Sequence, residues 1–238
     1  MGDTVLVTGA NRGIGLEIAR ALLDRGHRVV ACCRDPDAAT ALAALAPSDG
    51  HAGDGAAGAR LEVRALDVGD GASVAALAEA LAGRPLDALV NNAGRMRREA
   101  GAADVNHDDW TTTFAINAQG PLRVATALKA NLAAGSNPRV LTVSSQLGSI
   151  ERATAGSIAY RSSKAAVNMA MRCLADEWSD DGIAVCTVHP GWVRTDMGGS
   201  EADLSPAESA ADLVDLLERL TIADTGRFLN HDGSPLPW

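Results

Sequence analysis

The sequence predicts an α/β fold over one domain, residues 1–238: a doubly wound parallel sheet of about seven strands with helices on both faces. Seven short apolar runs recur along the chain: TVLVTG, RVVACC, LEVRALDV, LDALVNNAG, RVLTVSS, IAVCTVHPG and GRFLN. Runs that are apolar throughout, rather than alternating, mark strands buried on both faces. The segments between them carry helical spacing, and strand–helix–strand alternation is the pattern of a parallel sheet. The first run also feeds directly into a glycine turn and then an amphipathic helix.

Taken in order, the first strand passes through Gly9, Gly13 and Gly15, with Asn11, Arg12 and Ile14 in the same turn, into a helix over Gly15 to Arg25. Glycines let the backbone turn tightly and approach a pyrophosphate, whose charge meets the free N–H groups and positive end of the helix. Dinucleotide binding is the expectation. The second strand ends at Cys33 and is followed by Arg34. A carboxylate there would accept ribose hydroxyls of NAD, whereas an arginine holds a 2′-phosphate; Arg34 and Arg12 together point to NADP(H). Ala46 to Arg60, rich in Gly, Ala and Asp, reads as a flexible connection. After the third strand Asp67, beside Val68, is placed at the adenine edge, and helices are expected over Ser73 to Leu81 and, after the fourth strand, over Trp110 to Ala134. A further helix, Ser157 to Ser179, carries YRSSK, with the only tyrosine in the chain four residues before a lysine. Residues i and i+4 share a helix face, so the Tyr160 phenol and the Lys164 ammonium approach one cavity as a proton-transfer pair. The last helix runs from Pro206 to Leu220.

Bulk properties narrow the function. A net charge of −9 with scattered basic residues provides no track for a phosphate backbone, so nucleic acid is not an expected partner. No apolar run reaches the length of a membrane span and the N-terminus lacks a signal-peptide pattern, so no membrane partner is expected and the protein reads as soluble and cytoplasmic. The four cysteines fall in segments that read as core and are taken as reduced core residues. No metal site is expected.

The motifs TGANRGIG (Thr8 to Gly15), NNAG (Asn91 to Gly94), Asn117 in FAINAQG, Ser145 in VLTVSS, YRSSK and HPGWVRTDM (His189 to Met197) together resemble the short-chain dehydrogenase/reductase family. The resemblance covers nearly the whole chain. The run from Ser144 to Asn168 is most similar to the C-factor-like carbonyl reductase branch. It implies a Rossmann fold and an NADP(H)-dependent oxidoreductase acting on a small carbonyl or alcohol substrate. Tyr160 would be the general acid or base, Lys164 would hold the nicotinamide ribose and lower the phenol pKa, Ser145 would bind the carbonyl, and Asn117 would hold a water that links Lys164 to solvent. Asn91, Ala93 and Gly94 would pass under the adenine ribose, or NNAG serves simply to hold the sheet together. Pro190 and Gly191 would turn around the nicotinamide, with Val193 and Thr195 meeting its amide and the phosphates. His189 reads as strand-end packing. Ser145 stands fifteen residues before Tyr160, so Ser144 or Ser149 remains an alternative carbonyl-binding hydroxyl.

The substrate would lie among the segments after Gly94, from Gln146 to Ser157, and after Asp196, the last a mobile lid; Arg95, Arg97 and Arg98 either meet an anionic substrate or lie in a solvated loop. Val167, Met171, Leu174 and Trp178 share the Tyr160 face, while Ala166, Met169, Ala170 and Cys173 leave the opposite side small or apolar. That implies a homodimer or homotetramer built on this helix. A dinucleotide-binding regulatory protein without turnover is the alternative class.

Overall fold

The computed structural model describes residues 2–45 and 60–238. Strands β1 (Thr4–Thr8), β2 (Arg28–Cys33), β3 (Leu61–Ala65), β4 (Ala88–Asn91), β5 (Arg139–Val143), β6 (Ala184–His189) and β7 (Phe228–Asn230) form one sheet in the order β3-β2-β1-β4-β5-β6-β7. All neighbouring strands run parallel. The helices are α1 (Gly13–Asp24), α2 (Thr40–Ala43), α3 (Gly71–Ala80), α4 (His107–Phe114), α5 (Gly120–Ala127), α6 (Lys129–Ala133), α7 (Ile158–Glu177) and α8 (Pro206–Arg219).

Successive strand residues point to opposite faces, and the two hydrophobic cores follow that period of two. Val5 and Val7 join Ile18 and Leu22 of α1 with Leu213 and Leu217 of α8. Leu6, between them in sequence, joins Val74 of α3, Val124 of α5, and Val167 and Met171 of α7. Helix α8 starts where the sequence signals it: Pro206 is its first residue, and the Ser205 hydroxyl accepts from the Glu208 N–H at 3.2 Å while the Glu208 carboxylate accepts from the Ser205 N–H at 2.8 Å.

Chain order reverses at β1, which is flanked by β2 on one side and β4 on the other. In such sheets a crevice opens beyond the carboxyl ends of the strands at that switch point. Gly9, at φ 65°, sits at its floor, and a Cβ there would stand 2.9 Å from the Ala93 Cα. Only glycine lets these two loops close on each other.

Where the structure departs from the sequence reading, local chemistry accounts for it. The helix read from Trp110 to Ala134 is broken by a π-helical turn, Ala115–Gln119. Pro121 has no N–H to donate to the carbonyl of Asn117, so the regular ladder fails there. Cys173 is exposed on α7, against the expectation of a core thiol, because it lies on the helix side turned from the sheet. The connection read from Ala46 to Arg60 lies outside the described residues except for Arg60.

Trp178, 1% exposed, closes α7 in the core and carries Lys129 over its ring at 5.3 Å. Trp178→Ala should cost about 3–5 kcal/mol of unfolding free energy, read from the shift of a urea midpoint. A loss under about 1 kcal/mol would show that this end of α7 is not part of the cooperative core.

Candidate active site

Strand β5 delivers Ser144 and Ser145, a tight 3-10 turn over Gln146–Gly148 reverses the chain, and α7 brings Tyr160 and Lys164 back against it. The Ser145 hydroxyl neighbours the Tyr160 phenol and favours its ionised form. Its oxygen also accepts from the Leu147 N–H at 3.1 Å, which locks the turn. Ser144 reaches only the Lys164 carbonyl, at 3.5 Å, and the Ser149 hydroxyl donates to the Trp238 carbonyl at 3.2 Å. Of the three serines, Ser145 is the one at the phenol. Gly148 permits the close approach: a Cβ there would stand 2.8 Å from the Lys164 carbonyl carbon. Just before α7, Gly156 and Ser157 take φ of 83° and 49°, a left-handed reversal that is strained for serine. It is tied to the loop after β4 by the Ser157 N–H donating to the Glu99 carbonyl at 3.0 Å.

Burial dominates the electrostatics. Tyr160 is 7% exposed and Lys164 5%. Burial pushes the phenol up to about 12, against a smaller lowering by the Ser145 hydrogen bond, and burial pushes the Lys164 ammonium down to about 8. The expectation that Lys164 lowers the phenol therefore fails for the chain alone. The ammonium lies 5.8 Å from the ring centroid and donates instead to the Val143 carbonyl at 2.8 Å.

Asn117 sits inside the π-helical turn. Its side chain accepts from the Arg95 N–H at 2.9 Å and donates to the Arg95 carbonyl at 2.8 Å and to the Ser163 hydroxyl at 3.0 Å. These bonds fasten the loop after β4 to α7, so the side chain is spent on positioning. Its oxygen and the Lys164 nitrogen border Gly94 together, 3.4 and 3.8 Å from where a Cβ would be.

At the other end of the crevice, α1 begins without a side-chain cap and without an acidic residue in its first turn. Helix N–H groups with no internal partner and no competing carboxylate fit an anion such as a pyrophosphate. Asn11 and Arg12 are exposed there, Ile14 is half-buried, and Arg34 is exposed just past β2. Arg12 pairs with Asp196. Asp67 is half-buried and accepts from the Gly69 N–H at 2.9 Å; Val68 is buried beside it. The Asn91 amide donates to the Pro121 carbonyl and the Thr142 hydroxyl, both at 3.3 Å, and so helps to hold the sheet together. Ala93 instead borders the crevice, its N–H donating to the Thr8 hydroxyl at 3.0 Å. Sequence reasoning passed over Thr8, Ser163 and Val143, whose contacts form only when the elements pack.

Past β6, the Pro190 carbonyl accepts from the Ser209 hydroxyl at 2.6 Å, and Gly191 turns the chain at φ 85°. The segment read as a mobile lid is internally braced. Val193 bridges to Leu204, the Leu204 N–H donates to the Trp192 carbonyl at 3.0 Å, and Thr195 caps its own turn by accepting from the Gly198 N–H at 3.1 Å. Arg95 and Arg97 both pair with Asp109, while Arg98 donates to the Met197 carbonyl at 3.1 Å. His189 is buried and its pKa is pushed down to about 4 by burial, then by His231 and Arg152, as a strand-end packing residue requires.

The fold and the site define a dinucleotide-binding α/β protein with a serine–tyrosine–lysine cluster at the switch-point crevice. Comparison with known proteins gives the family. The short chain dehydrogenase family matches residues 3–204. The chain is 41% identical over 155 residues to the C-signal protein of Myxococcus xanthus, covering 65% of this chain and 93% of that one. It superposes on the carbonyl reductase Sniffer of D. melanogaster with a TM-score of 0.90 at 30% identity, covering all of both chains. It superposes on an NADPH-bound carbonyl reductase from chicken fatty liver with a TM-score of 0.88 at 34% identity, over 100% of this chain and 99% of that one. The chain belongs to the short-chain dehydrogenase/reductase family. Among the described residues, no helix is long and apolar enough to cross a membrane.

Because Tyr160 is the only tyrosine, the ultraviolet phenolate signal reports one group. In the ligand-free folded chain it should stay silent past the reference pKa of ~10, and Ser145→Ala should move the midpoint higher still by removing the bond that favours phenolate. A ligand-free midpoint at or below ~10 would contradict the burial described here.

Proposed function

We propose that the chain is an NADP(H)-dependent reductase of ketones or aldehydes, equally an alcohol dehydrogenase in reverse, working as one soluble cytoplasmic domain. The observation that carries the reading is the buried phenol of Tyr160, beside Ser145 and one helical turn from a buried ammonium. The glycine turn with its uncapped helix supports a dinucleotide, Arg12 and Arg34 support the phosphorylated form, and the NADPH-bound relative supports the same choice. NADPH bound there would supply the hydride.

The protein groups supply the rest. Ser145 holds the carbonyl oxygen by a hydrogen bond, and Tyr160 passes its proton to that oxygen as the carbonyl carbon is reduced. A phenol whose pKa is high when the chain is alone is well suited to remain protonated until that moment. Lys164 would hold a ribose hydroxyl and, as an ammonium, favour the phenolate left behind. A water held by Asn117 for reprotonation falls to its main-chain carbonyl, which receives no N–H from Pro121 four residues on. The high phenol pKa equally favours the second reading, an NADP(H)-binding regulatory protein with little turnover. Incubation with NADPH and a panel of carbonyl compounds separates the two. Tyr160→Phe should cut turnover by about 10²–10⁴-fold while leaving NADPH binding nearly unchanged. Retention of turnover in Tyr160→Phe would remove the catalytic role, and equal kcat/KM for NADPH and NADH in the parent would remove the cofactor preference.

The same reading takes the protein as a homodimer or homotetramer built on α7. Support comes from a cavity of about 270 Å³ on the outer side of that helix, bordered by Ile150, Ala165, Asn168, Met169 and Trp238. Ile150 is 75% and Met169 63% exposed, an unusual cost for a surface left in water. The Asn168 amide is buried with neither polar atom partnered. Light scattering should give a dimer or tetramer for the parent and a smaller species for Met169→Lys; a monomeric parent at micromolar concentration would sink the assembly.

A further inference from the structure

We infer that Asp196 is a determinant of cofactor choice: it holds the Arg12 guanidinium that a 2′-phosphate would engage, and so sets how much of that charge NADP(H) can use. The inference rests on the NADP(H) reading above. Three observations carry it. Arg12, the last residue before α1, reaches across the crevice to the Asp196 carboxylate, a partner 184 residues away in sequence, and both side chains remain largely exposed. The two backbones they come from are already close, since the Thr195 methyl lies 3.5 Å from where a Cβ on Gly13 would be. Finally, Asp196 is presented by a built turn rather than a loose one, with the Gly199 N–H donating to the Thr195 carbonyl at 2.9 Å and the Gly198 N–H to the Thr195 hydroxyl at 3.1 Å.

The competition has a definite sign. A phosphate monoester carries about −1.5 to −2 charge and several oxygens that match the guanidinium fork, so it outbids a single carboxylate for Arg12. NAD(H) offers only ribose hydroxyls at that position, so the Arg12–Asp196 pair survives its binding. The exposed pair therefore opposes NADP(H) alone, first by occupying Arg12 and then by leaving an anion beside the phosphate. Arg34, exposed past β2, enters no ion pair among the described residues.

Titration calorimetry of the full chain with NADPH and with NADH tests this on the parent, Asp196→Asn, Arg12→Gln and the double variant. Asp196→Asn should tighten NADPH by about three- to fivefold, the scale of an exposed ion pair, with NADH shifted less than about twofold. In the Arg12→Gln background the gain should shrink, because only the repulsion between the Asp196 carboxylate and the phosphate is then left to remove. Unchanged or weaker NADPH binding by Asp196→Asn, or an equal gain for NADH, would overturn the inference while leaving the cofactor reading intact. A parent that binds both cofactors alike would instead sink the cofactor reading.

Discussion

Burying an ammonium beside a phenol is the constraint around which the rest of the site is arranged. Water would solvate both groups well, and removing it pushes each toward its neutral form, Tyr160 up to about 12 and Lys164 down to about 8. A core built only for stability would place apolar side chains there. The chain accepts the cost because a dry pocket strengthens every charge interaction that later forms inside it. The Val143 carbonyl and the Ser145 hydroxyl are the compensation the fold provides, one for each group.

The parallel sheet makes that compensation available. All neighbouring strands run the same way, so their carboxyl ends and the loops that follow lie on one edge. The glycine turn, the loop after β4, the Ser145 turn and the loop after β6 meet there without any of them being adjacent in sequence. Small residues set the closeness: Gly9 against Ala93, and Gly148 against the Lys164 backbone. Arginines then stitch the loops over the crevice, Arg12 to Asp196 and Arg98 to Met197. That stitching explains why a segment rich in glycine and serine is braced where composition alone reads as mobile.

Much of the fold was legible because it follows from local pattern. Apolar runs separated by helical spacing specify strands covered on both faces, and the glycine turn specifies the nucleotide end. Tyr160 and Lys164 were legible through a single helical turn, a property of residues i and i+4 that needs no tertiary information. The break at Ala115–Gln119 was missed, although Pro121 carries the signal, because a helix ladder is judged by the carbonyl four residues back. For Asn91 the strand and side-chain type suit either use, and only packing beside Pro121 and Thr142 shows its amide bonded inward.

The sequence by itself determined the sheet, the order of its helices, the glycine turn and the phenol–ammonium spacing, since each is written in a periodicity or a motif a few residues long. The tertiary structure decided which serine meets the phenol, since Ser144, Ser145 and Ser149 are chemically alike and differ only in where the Gln146–Gly148 turn points them. It also decided the direction of both pKa shifts, because burial is a property of the whole packed chain and a pair of residues cannot state it alone. Asp196 belongs to the same class: nothing local to it or to Arg12 brings together two residues 184 positions apart, and their meeting follows from the sheet carrying both loops to one edge.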